Sequence, residues 1–443
     1  MTSSEVSNVK ELRKILSGSV IIFLGKIINA VSQYILILML GRFLGPAEVG
    51  LFFIGRAIMR FTNISGTLGF PGSLLKFVPE YMVKKQYYSV RYIIDFAYVS
   101  TFCLSLLFSL VLYSVSFFLS NNIFKDQNLT PVIKLFSMCL PLFAIFTITI
   151  ASIRSFRDMF SLSMVENIIF PAGSIVTALF IFNFYRSLSS FIVAYAIGII
   201  MAIIFGFYFL QKSLPIRFDE NPSKISKGHL INFSLPFMGS GIIGFSLMWM
   251  DSFMLGYFTS MEEVGIYNGA ARIALFSNII LASVNTVFGP SISKYFATDD
   301  LNNLKMAYKT TVRWIIHISL PFYLFIFFLS EKIMGLYGTQ FIAGSYALII
   351  LSFGQLVNIS VGSAGYLLTM TGNPKTELLN QIITVVLNFS LNWYLIPLMG
   401  INGAALATTV SIVIVNGLRL FENYSHLRIQ PFSIQIVWPF SRK

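Results

Sequence analysis

The stretch LGRFLGPAEVGLF, residues 40–52, returns 215 residues later as LGYFTSMEEVGIY, residues 255–267. Leucine, glycine, phenylalanine, glutamate, valine and glycine stand at the same offsets in both copies. Long apolar segments precede and follow each copy. The repeat therefore predicts that the chain consists of two related halves.

The composition places both copies in a membrane protein. The chain of 443 residues is 56% apolar and only 11% charged, with a mean hydropathy of +0.77. Soluble domains usually contain about 25% charged residues. The apolar segments reach the roughly 20 residues that a helix needs to cross a bilayer. We predict an all-α polytopic membrane protein.

Hydropathy predicts about twelve transmembrane helices in this chain. They lie near residues 16–40, 48–74, 92–118, 131–152, 164–183, 189–210, 229–256, 263–289, 309–329, 343–368, 377–398 and 400–422. Six spans separate the copies of the repeat, so both copies enter the membrane in the same direction. We therefore predict two parallel six-helix bundles. The N-terminal bundle covers residues 1–210, a cytoplasmic linker covers 211–228, and the C-terminal bundle with a cytoplasmic tail covers 229–443.

The net charge of +13 follows the topology of the chain. Most lysines and arginines outside the spans lie at the N-terminus, in alternate loops and at the C-terminus. The intervening loops carry Arg42, Lys125, Arg186 and Lys332. By the positive-inside rule, both termini are cytoplasmic. No basic run is interleaved with aromatic residues on a soluble segment, so we expect no nucleic-acid partner.

Several charged and polar residues lie too deep in the predicted spans to reach the membrane surface. In the first half they form two helical faces: Lys26, Asn29 and Gln33 in span 1, and Arg56, Arg60 and Asn63 in span 2. In the second half, Arg272 follows Asn268 by about one turn in span 8, and Asp251 lies in span 7. Each charge costs about 2.5–3.5 kcal/mol at a helix centre unless a partner or a wet cavity receives it.

These charges have more than one interpretation. Lys26, Arg56, Arg60 and Arg272 either form a cationic cavity for an anionic substrate or pair structurally with acids or helix carbonyls. Asp251 either forms a salt bridge to an arginine, binds a coupling sodium ion or proton, or forms part of a cavity wall.

Span 11 carries a stripe of polar side chains at helical spacing: Glu377, Gln381, Thr384, Asn388 and Asn392. The stripe is suited both to sugar hydroxyls and to hydrogen bonds between helices. The predicted polar lining of the cavity is Asn29, Gln33, Asn63, Asn268, Gln381, Thr384 and Asn388. The sequence contains no aspartate pair for a metal, no Walker loop and no nucleophile with a paired histidine. We therefore predict no catalytic residue, no metal site and no resident cofactor.

Three stretches resemble a known transporter group: GRFLGPAEVGLF, EEVGIYNGAARI, and TGNPKTELLNQIITVVLNFSLNWYLIPLMGINGAALATT at residues 371–409. They are similar to the polysaccharide flippases of the multidrug/oligosaccharidyl-lipid/polysaccharide exporter superfamily, over essentially the whole chain. The resemblance implies a MATE-like exporter fold, lipid-linked sugar substrates and, in some relatives, coupling to sodium or protons. Relatives of this branch often have fourteen spans. Here the chain stops soon after span 12, so either the last pair is absent or the chain is incomplete.

The function that fits these features is flipping of a polyprenyl-diphosphate oligosaccharide from the cytoplasmic to the outer leaflet by alternating access. We expect a monomer in the cell membrane that contacts membrane lipids and functions with glycan-synthesis enzymes. One alternative is a cation-coupled multidrug and toxin extruder, whose site should be rich in acids. Another is a membrane glycosyltransferase or polysaccharide polymerase, which usually needs a large extramembrane loop. No loop here exceeds about 20 residues.

Overall fold

The computed structural model describes residues 3–214 and 226–429. Within these ranges the chain is helical and contains no β-strand. Most of the predicted linker at 211–228 and most of the predicted tail lie outside the described residues.

The first half begins with long helices and includes two π-helical turns. Its helices are α1 (Ser3–Leu44), α2 (Pro46–Gly66), α3 (Phe70–Val83), α4 (Tyr87–Phe118), α5 (Leu129–Ser155), α6 (Met159–Ser163), α7 (Phe170–Phe182) and α8 (Leu188–Ser213). One π-helical turn, Leu119–Ile123, extends α4, and the other, Met164–Ile169, joins α6 to α7.

The second half has the same general plan. Its helices are α9 (Lys227–Phe258), α10 (Met261–Ala274), α11 (Ser277–Ala297), α12 (Leu301–Gly335), α13 (Ser345–Val361), α14 (Ala364–Met370) and α15 (Pro374–Leu427). A 3₁₀ turn, Thr339–Gly344, precedes α13. The long helix α15 changes direction at Gly400, whose φ of 54° and ψ of −130° are readily adopted only by glycine. Spans 11 and 12 are therefore the two arms of α15.

The order of these elements is compatible with twelve crossings. Nine helical segments among the described residues are long and apolar enough to cross a membrane by themselves. Predicted spans 2, 8 and 10 each consist of two helices, namely α2 with α3, α10 with α11, and α13 with α14. Hydropathy does not detect these interruptions because the connecting segments are only two or three residues long. The predicted fold class of a helical polytopic membrane protein agrees with this structure.

The two copies of the repeat start their helices by different chemistry. In the first copy α2 begins at Pro46, whose missing amide hydrogen costs nothing in the first turn. In the second copy the Ser260 side chain accepts a hydrogen bond from the Glu263 amide, 3.3 Å away, and caps α10. Both solutions end the preceding long helix and start a second one at the same offset.

The repeated glycines form a very close contact between the halves. A β-carbon at Gly50 would lie 1.8 Å from the carbonyl oxygen of Met261, and one at Gly265 would lie 1.9 Å from that of Pro46. The contact is reciprocal, because Pro46 and Met261 are equivalent by the 215-residue offset, as are the two glycines. The helices α2 and α10 therefore cross with their backbones touching. We call this end of the bundle the repeat end.

The halves also meet at the opposite end, where α3 packs against α9. The hydroxyl oxygens of Ser73 and Ser234 are 2.5 Å apart, and the ring of Phe77 lies 4.9 Å from that of Phe233. On this side of the interface α2 also contacts α9. By the repeat, the equivalent pair on the other side is α10 and α1. Within the described ranges that pair makes almost no contact, which leaves a gap between the halves.

Candidate functional site

A polar cavity of about 410 Å³ lies inside the second half, between α9, α10, α13 and α15. Among the residues predicted from sequence, its lining includes Asp251, Asn268, Arg272, Gln381, Thr384 and Asn388. It also includes polar residues that the sequence did not single out: Gln355, Asn358, Asn416 and Arg419. Thr408 and Arg419 both line it, so it extends about 16 Å along the second arm of α15 at 1.5 Å per residue.

The gap between α1 and α10 forms a second space, which we call the side crevice. It has a volume of about 450 Å³ and is lined by α1, α10, α11 and α12. Most of its lining side chains are apolar, including Val31, Ile37, Phe276, Phe322 and Phe325. At the repeat end the crevice is bounded by α1 and α12, where Arg42 Nε donates to the Leu336 carbonyl at 2.7 Å.

Arg272 lines both the polar cavity and the side crevice. Its guanidinium lies 5.2 Å from the ring centroid of Trp249 and 5.4 Å from that of Phe53. No carboxylate of the described residues lies within salt-bridge distance of it. Arg272 thus presents a positive charge, held against two aromatic faces, where a polar space meets an apolar one.

Arg56 and Arg60 are held in a similar way in the first half. Arg56 is only 6% exposed, donates from Nη1 to Gln33 Oε1 at 3.1 Å, and lies 5.3 Å from the Tyr195 ring centroid. Arg60 lies 5.5 Å from the Phe143 ring centroid. In both arginines Nε is buried and has no hydrogen-bond partner among the described residues.

Arg272 lies over the ring of Phe53 on α2, the helix that also carries Arg56 and Arg60, and we call these three residues the arginine cluster. A cation over an aromatic face gains about 2 kcal/mol when it is desolvated, whereas like charges repel. Pairing with acids, the structural alternative raised from the sequence, is not found for these arginines within residues 3–214 and 226–429. The cluster therefore carries an excess of positive charge.

Asp251 is surrounded by hydrogen-bond donors. Its Oδ1 accepts from Asn392 Nδ2 at 2.7 Å and from Asn388 Nδ2 at 3.1 Å. Its Oδ2 accepts from the hydroxyls of Tyr267 and Thr408, both at 2.5 Å. No salt bridge joins Asp251 to an arginine in the described part of the chain. A salt bridge was one of three interpretations of Asp251, and the structure does not form it.

On the polar stripe of span 11, Glu377 pairs with an arginine. Arg419 Nε donates to Glu377 Oε2 at 2.9 Å, and Arg419 Nη2 contacts Glu377 Oε1. Gln381 Nε2 donates to the same Oε1 at 3.3 Å. Glu377 begins the polar stripe of span 11, so the sequence held a signal for this pair. Its partner lies 42 positions away on the second arm of α15, and no local pattern connects the two.

Some predicted site residues lie elsewhere. Asn29 donates to Asn167 at 3.1 Å, and Asn63 donates to Thr147 at 3.3 Å, so both join helices of the first half. Lys26 is exposed on α1. Of the four predicted cations, Arg272 alone lines the polar cavity or the side crevice, and Gln33 lines the side crevice.

Residues 39–346 match the family described as "Polysaccharide biosynthesis protein". The chain belongs to this family. The matched range contains Arg56, Arg60, Asp251 and Arg272, whereas α15 lies beyond it.

One relative of this chain is the probable low-salt glycan biosynthesis flippase Agl15 of Haloferax volcanii. It is 23% identical over 422 residues, which cover 95% of this chain and 86% of that protein.

Solved structures show the same fold. The lipid II flippase MurJ in an inward closed conformation aligns with a TM-score of 0.74 at 17% identity, covering 91% of this chain and 87% of MurJ. An inward-facing multidrug resistance MATE family transporter of the MOP superfamily aligns with a TM-score of 0.70 at 14% identity, covering 89% and 94%. The expected fold of this polysaccharide biosynthesis family member is therefore confirmed. At these identities the structures support the fold and nothing finer.

Proposed function

We propose that this protein flips a lipid-linked oligosaccharide, in which a diphosphate joins the glycan to a polyprenyl chain, from the cytoplasmic to the outer leaflet. The observation that carries the proposal is the position of Arg272 between the polar cavity and the side crevice. The substrate has the same order of parts: a hydroxyl-rich glycan, an anionic diphosphate and an apolar chain. The name of the Haloferax relative supports this substrate class.

The arginine cluster supports an anionic headgroup. Arg56, Arg60 and Arg272 rest on aromatic rings, and none has a carboxylate partner among the described residues. Arg272 lines both spaces, so its fork of donors is available for phosphate oxygens, while Arg56 and Arg60 add positive charge behind it. A diphosphate drawn to this cluster neutralises charges that otherwise repel one another. Lys26, exposed on α1, is proposed as an accessory cation on the path to the cluster.

The interface between the halves supports alternating access. At the repeat end the α2–α10 crossing closes the path, and at the opposite end α3 closes it against α9. We propose that the halves rock about the shared axis so that these contacts open in turn. The side crevice lets the polyprenyl chain remain in the bilayer while the headgroup crosses. The protein acts as a transporter, not as an enzyme, and as a monomer beside glycan-synthesis enzymes.

We propose that both termini are cytoplasmic, because of the distribution of lysine and arginine between the loops. The membrane potential then assists export, since each negative charge moved outward gains about 2.3 kcal/mol per 100 mV. Cysteines placed at Gln127 or Glu262 should react with an impermeant reagent from outside, while one at Lys85 should not. The reverse labelling pattern contradicts this orientation.

Asp251 is proposed as the site of a coupling sodium ion or proton. Around its carboxylate stand the hydroxyl oxygens of Tyr267 and Thr408 and the side-chain amides of Asn388 and Asn392. Hard cations prefer oxygen ligands, and the Asn392 Oδ1 atom is buried without a partner among the described residues. The chemistry of this donor set fits a small cation. The alternative is that Asp251 binds a proton instead of a sodium ion.

The drug-exporter alternative is less well supported. An exporter of organic cations needs unneutralised acids in its cavity. Here Glu377 is paired with Arg419, and Asp251 shares the cavity with Arg272, a cation without a carboxylate partner among the described residues.

The membrane-glycosyltransferase alternative has no support from the relatives, because the Haloferax relative and MurJ are both named as flippases.

The test is flipping of a fluorescent polyprenyl-diphosphate sugar in reconstituted vesicles. Arg272→Gln removes charge-assisted hydrogen bonds worth about 1.5–3 kcal/mol, so flipping should fall roughly 10- to 100-fold. Arg272→Lys should restore part of the rate, because it keeps the charge but not the fork of donors. Arg91→Gln is the matched control, since Arg91 is exposed and lies 3.8 Å from Asp95. Normal flipping in folded Gln variants at all three deep arginines would falsify the cationic-site proposal.

A further inference from the structure

Three side-chain amides form a hydrogen-bonded relay in the wall of the polar cavity. Asn416 Nδ2 donates to Asn358 Oδ1 at 3.1 Å, and Asn358 Nδ2 donates to Gln355 Oε1 at 3.4 Å. Gln355 lies on α13 and is 4% exposed, while Asn416 lies on α15 and is 2% exposed. All three residues line the cavity. The relay thus joins two helices across a largely buried wall.

Both ends of the relay remain open. Within the described part of the chain, no residue accepts a hydrogen bond from Gln355 Nε2, and none donates to Asn416 Oδ1. Reversing all three amides only exchanges the donor end with the acceptor end, so the relay offers one of each in either assignment. Paired donors and acceptors at this spacing are suited to the hydroxyl groups of a sugar, each of which both donates and accepts.

The relay itself is uncharged, and other side chains already engage the acids near it. Glu377 holds Arg419 through two contacts, and the Asp251 carboxylate accepts hydrogen bonds from four side chains. Arg272, on the wall next to the side crevice, is the cavity-lining cation without a carboxylate partner in the described ranges. Gln355, Asn358 and Asn416 themselves offer no counter-charge to a carboxylate or an amine. This part of the wall is therefore suited to a neutral polyhydroxyl group.

We infer that the amide relay of Gln355, Asn358 and Asn416 is a binding subsite for the uncharged sugar that directly follows the diphosphate. This inference rests on the proposed function, because it assumes that Arg272 receives the diphosphate. The same cavity that contains Arg272 contains the relay, so a sugar attached to a diphosphate at Arg272 enters the space that the relay lines. The subsite makes the protein select glycosylated carriers over the bare carrier, since a site built to hydrogen-bond hydroxyls discriminates strongly against ligands that lack them.

The experiment compares two fluorescent lipids in vesicles that contain the full chain. One probe is a polyprenyl diphosphate carrying a single neutral hexose, and the other is the same polyprenyl diphosphate without sugar. Gln355→Leu and Asn416→Leu should lower flipping of the glycosylated lipid about tenfold and change flipping of the bare lipid less than twofold. Ser352→Ala is the matched control on α13, because Ser352 is fully buried but does not line the cavity.

The variants Gln355→Met and Asn416→Ala repeat the test without adding a charge, in case the leucine variants do not fold. Equal loss for both lipids, or no loss for either in folded variants, overturns the sugar subsite while leaving the flippase proposal in place. Failure of the wild-type protein to flip either lipid overturns the flippase proposal itself. A raised half-saturating concentration for the glycosylated lipid alone supports direct binding at the relay.

Discussion

The two copies of the repeat agree where the halves touch and differ one to two turns further along. Gly50 and Gly265 make the same backbone contact, each with the other half. Seven residues later, the first copy has the buried Ala57, and the second has Arg272 at the wall of both cavities. The contact between the halves is symmetric because equivalent residues of each half form it. The two halves must differ around the cavity, because the glycan, the diphosphate and the lipid chain need chemically different surroundings.

The two sides of the interface differ in the same sense. On one side α2 and α3 pack along α9, and on the other α1 and α10 leave the side crevice open. The side where α3 packs on α9, which we call the closed side, has aromatic contacts such as Phe77 with Phe233 and Phe61 with Phe245. A space of about 570 Å³ remains there, and polar residues such as Asn63 and Lys76 contribute to its lining. On the other side α1 contacts α11, and the side crevice has a mostly apolar lining. We therefore expect the lipid chain to use the side crevice.

The largest effect is expected from locking the closed side at the opposite end. The Ser73 and Ser234 hydroxyl oxygens are 2.5 Å apart, close to the roughly 2.05 Å length of a disulfide. Ser73→Cys with Ser234→Cys should form a cross-link that stops flipping almost completely, because the halves then cannot separate there. Reductant should restore the rate.

Each single cysteine variant serves as the control for this cross-link, together with removal of the exposed native Cys103. If the cross-linked protein keeps its full rate, α3 and α9 act as a permanent hinge, and alternation at this end is wrong.

The next largest effect concerns the α2–α10 crossing. Gly50→Val or Gly265→Val places side-chain atoms where backbone carbonyls now lie. Overpacking of this kind costs about 1–3 kcal/mol, so flipping should fall roughly 10- to 100-fold as the repeat end fails to close. Gly417→Val is the control, because a β-carbon there meets nothing within 4 Å.

The crossing variants should also make cysteines near Ser260 more reactive, which distinguishes an open repeat end from an unfolded protein. Wild-type flipping with both glycines replaced would show that the crossing is not the closed state of a gate.

The smallest effect is expected at Asp251, which has the apolar Leu36 as its counterpart in the first half. Asp251→Asn keeps the size of the side chain but removes the charge that attracts a cation. Flipping should fall about three- to tenfold and lose its dependence on a sodium or proton gradient. Asp95→Asn, at an exposed acid 3.8 Å from Arg91, is the control. A variant at Asp251 that responds normally to both gradients would exclude coupling at this residue.

Much of the fold can be predicted from the sequence because its signals are patterns along the chain. Apolar length predicts spans, and a fixed offset predicts a repeat. The interruption near Gly69, where φ is 74°, escaped detection because the connecting segment is so short. The site was accessible only in part. Arg272, Asp251 and Asn388 were identified from charge and polarity at membrane depth, whereas Gln355 and Asn416 looked like ordinary polar residues of two separate spans.

Hydropathy, the offset of the repeat and the charge pattern are properties of the chain alone, so they suffice to predict a helical membrane protein with two related halves and with positive charges deep in its spans. Which groups those charges contact depends on the tertiary structure. Asp251 receives hydrogen bonds from Asn388 and Thr408, which lie 137 and 157 positions away, and Arg272 rests on Phe53 of the other half. Such partners are chosen by packing between helices, since distance along the chain carries no information about which faces of distant helices meet.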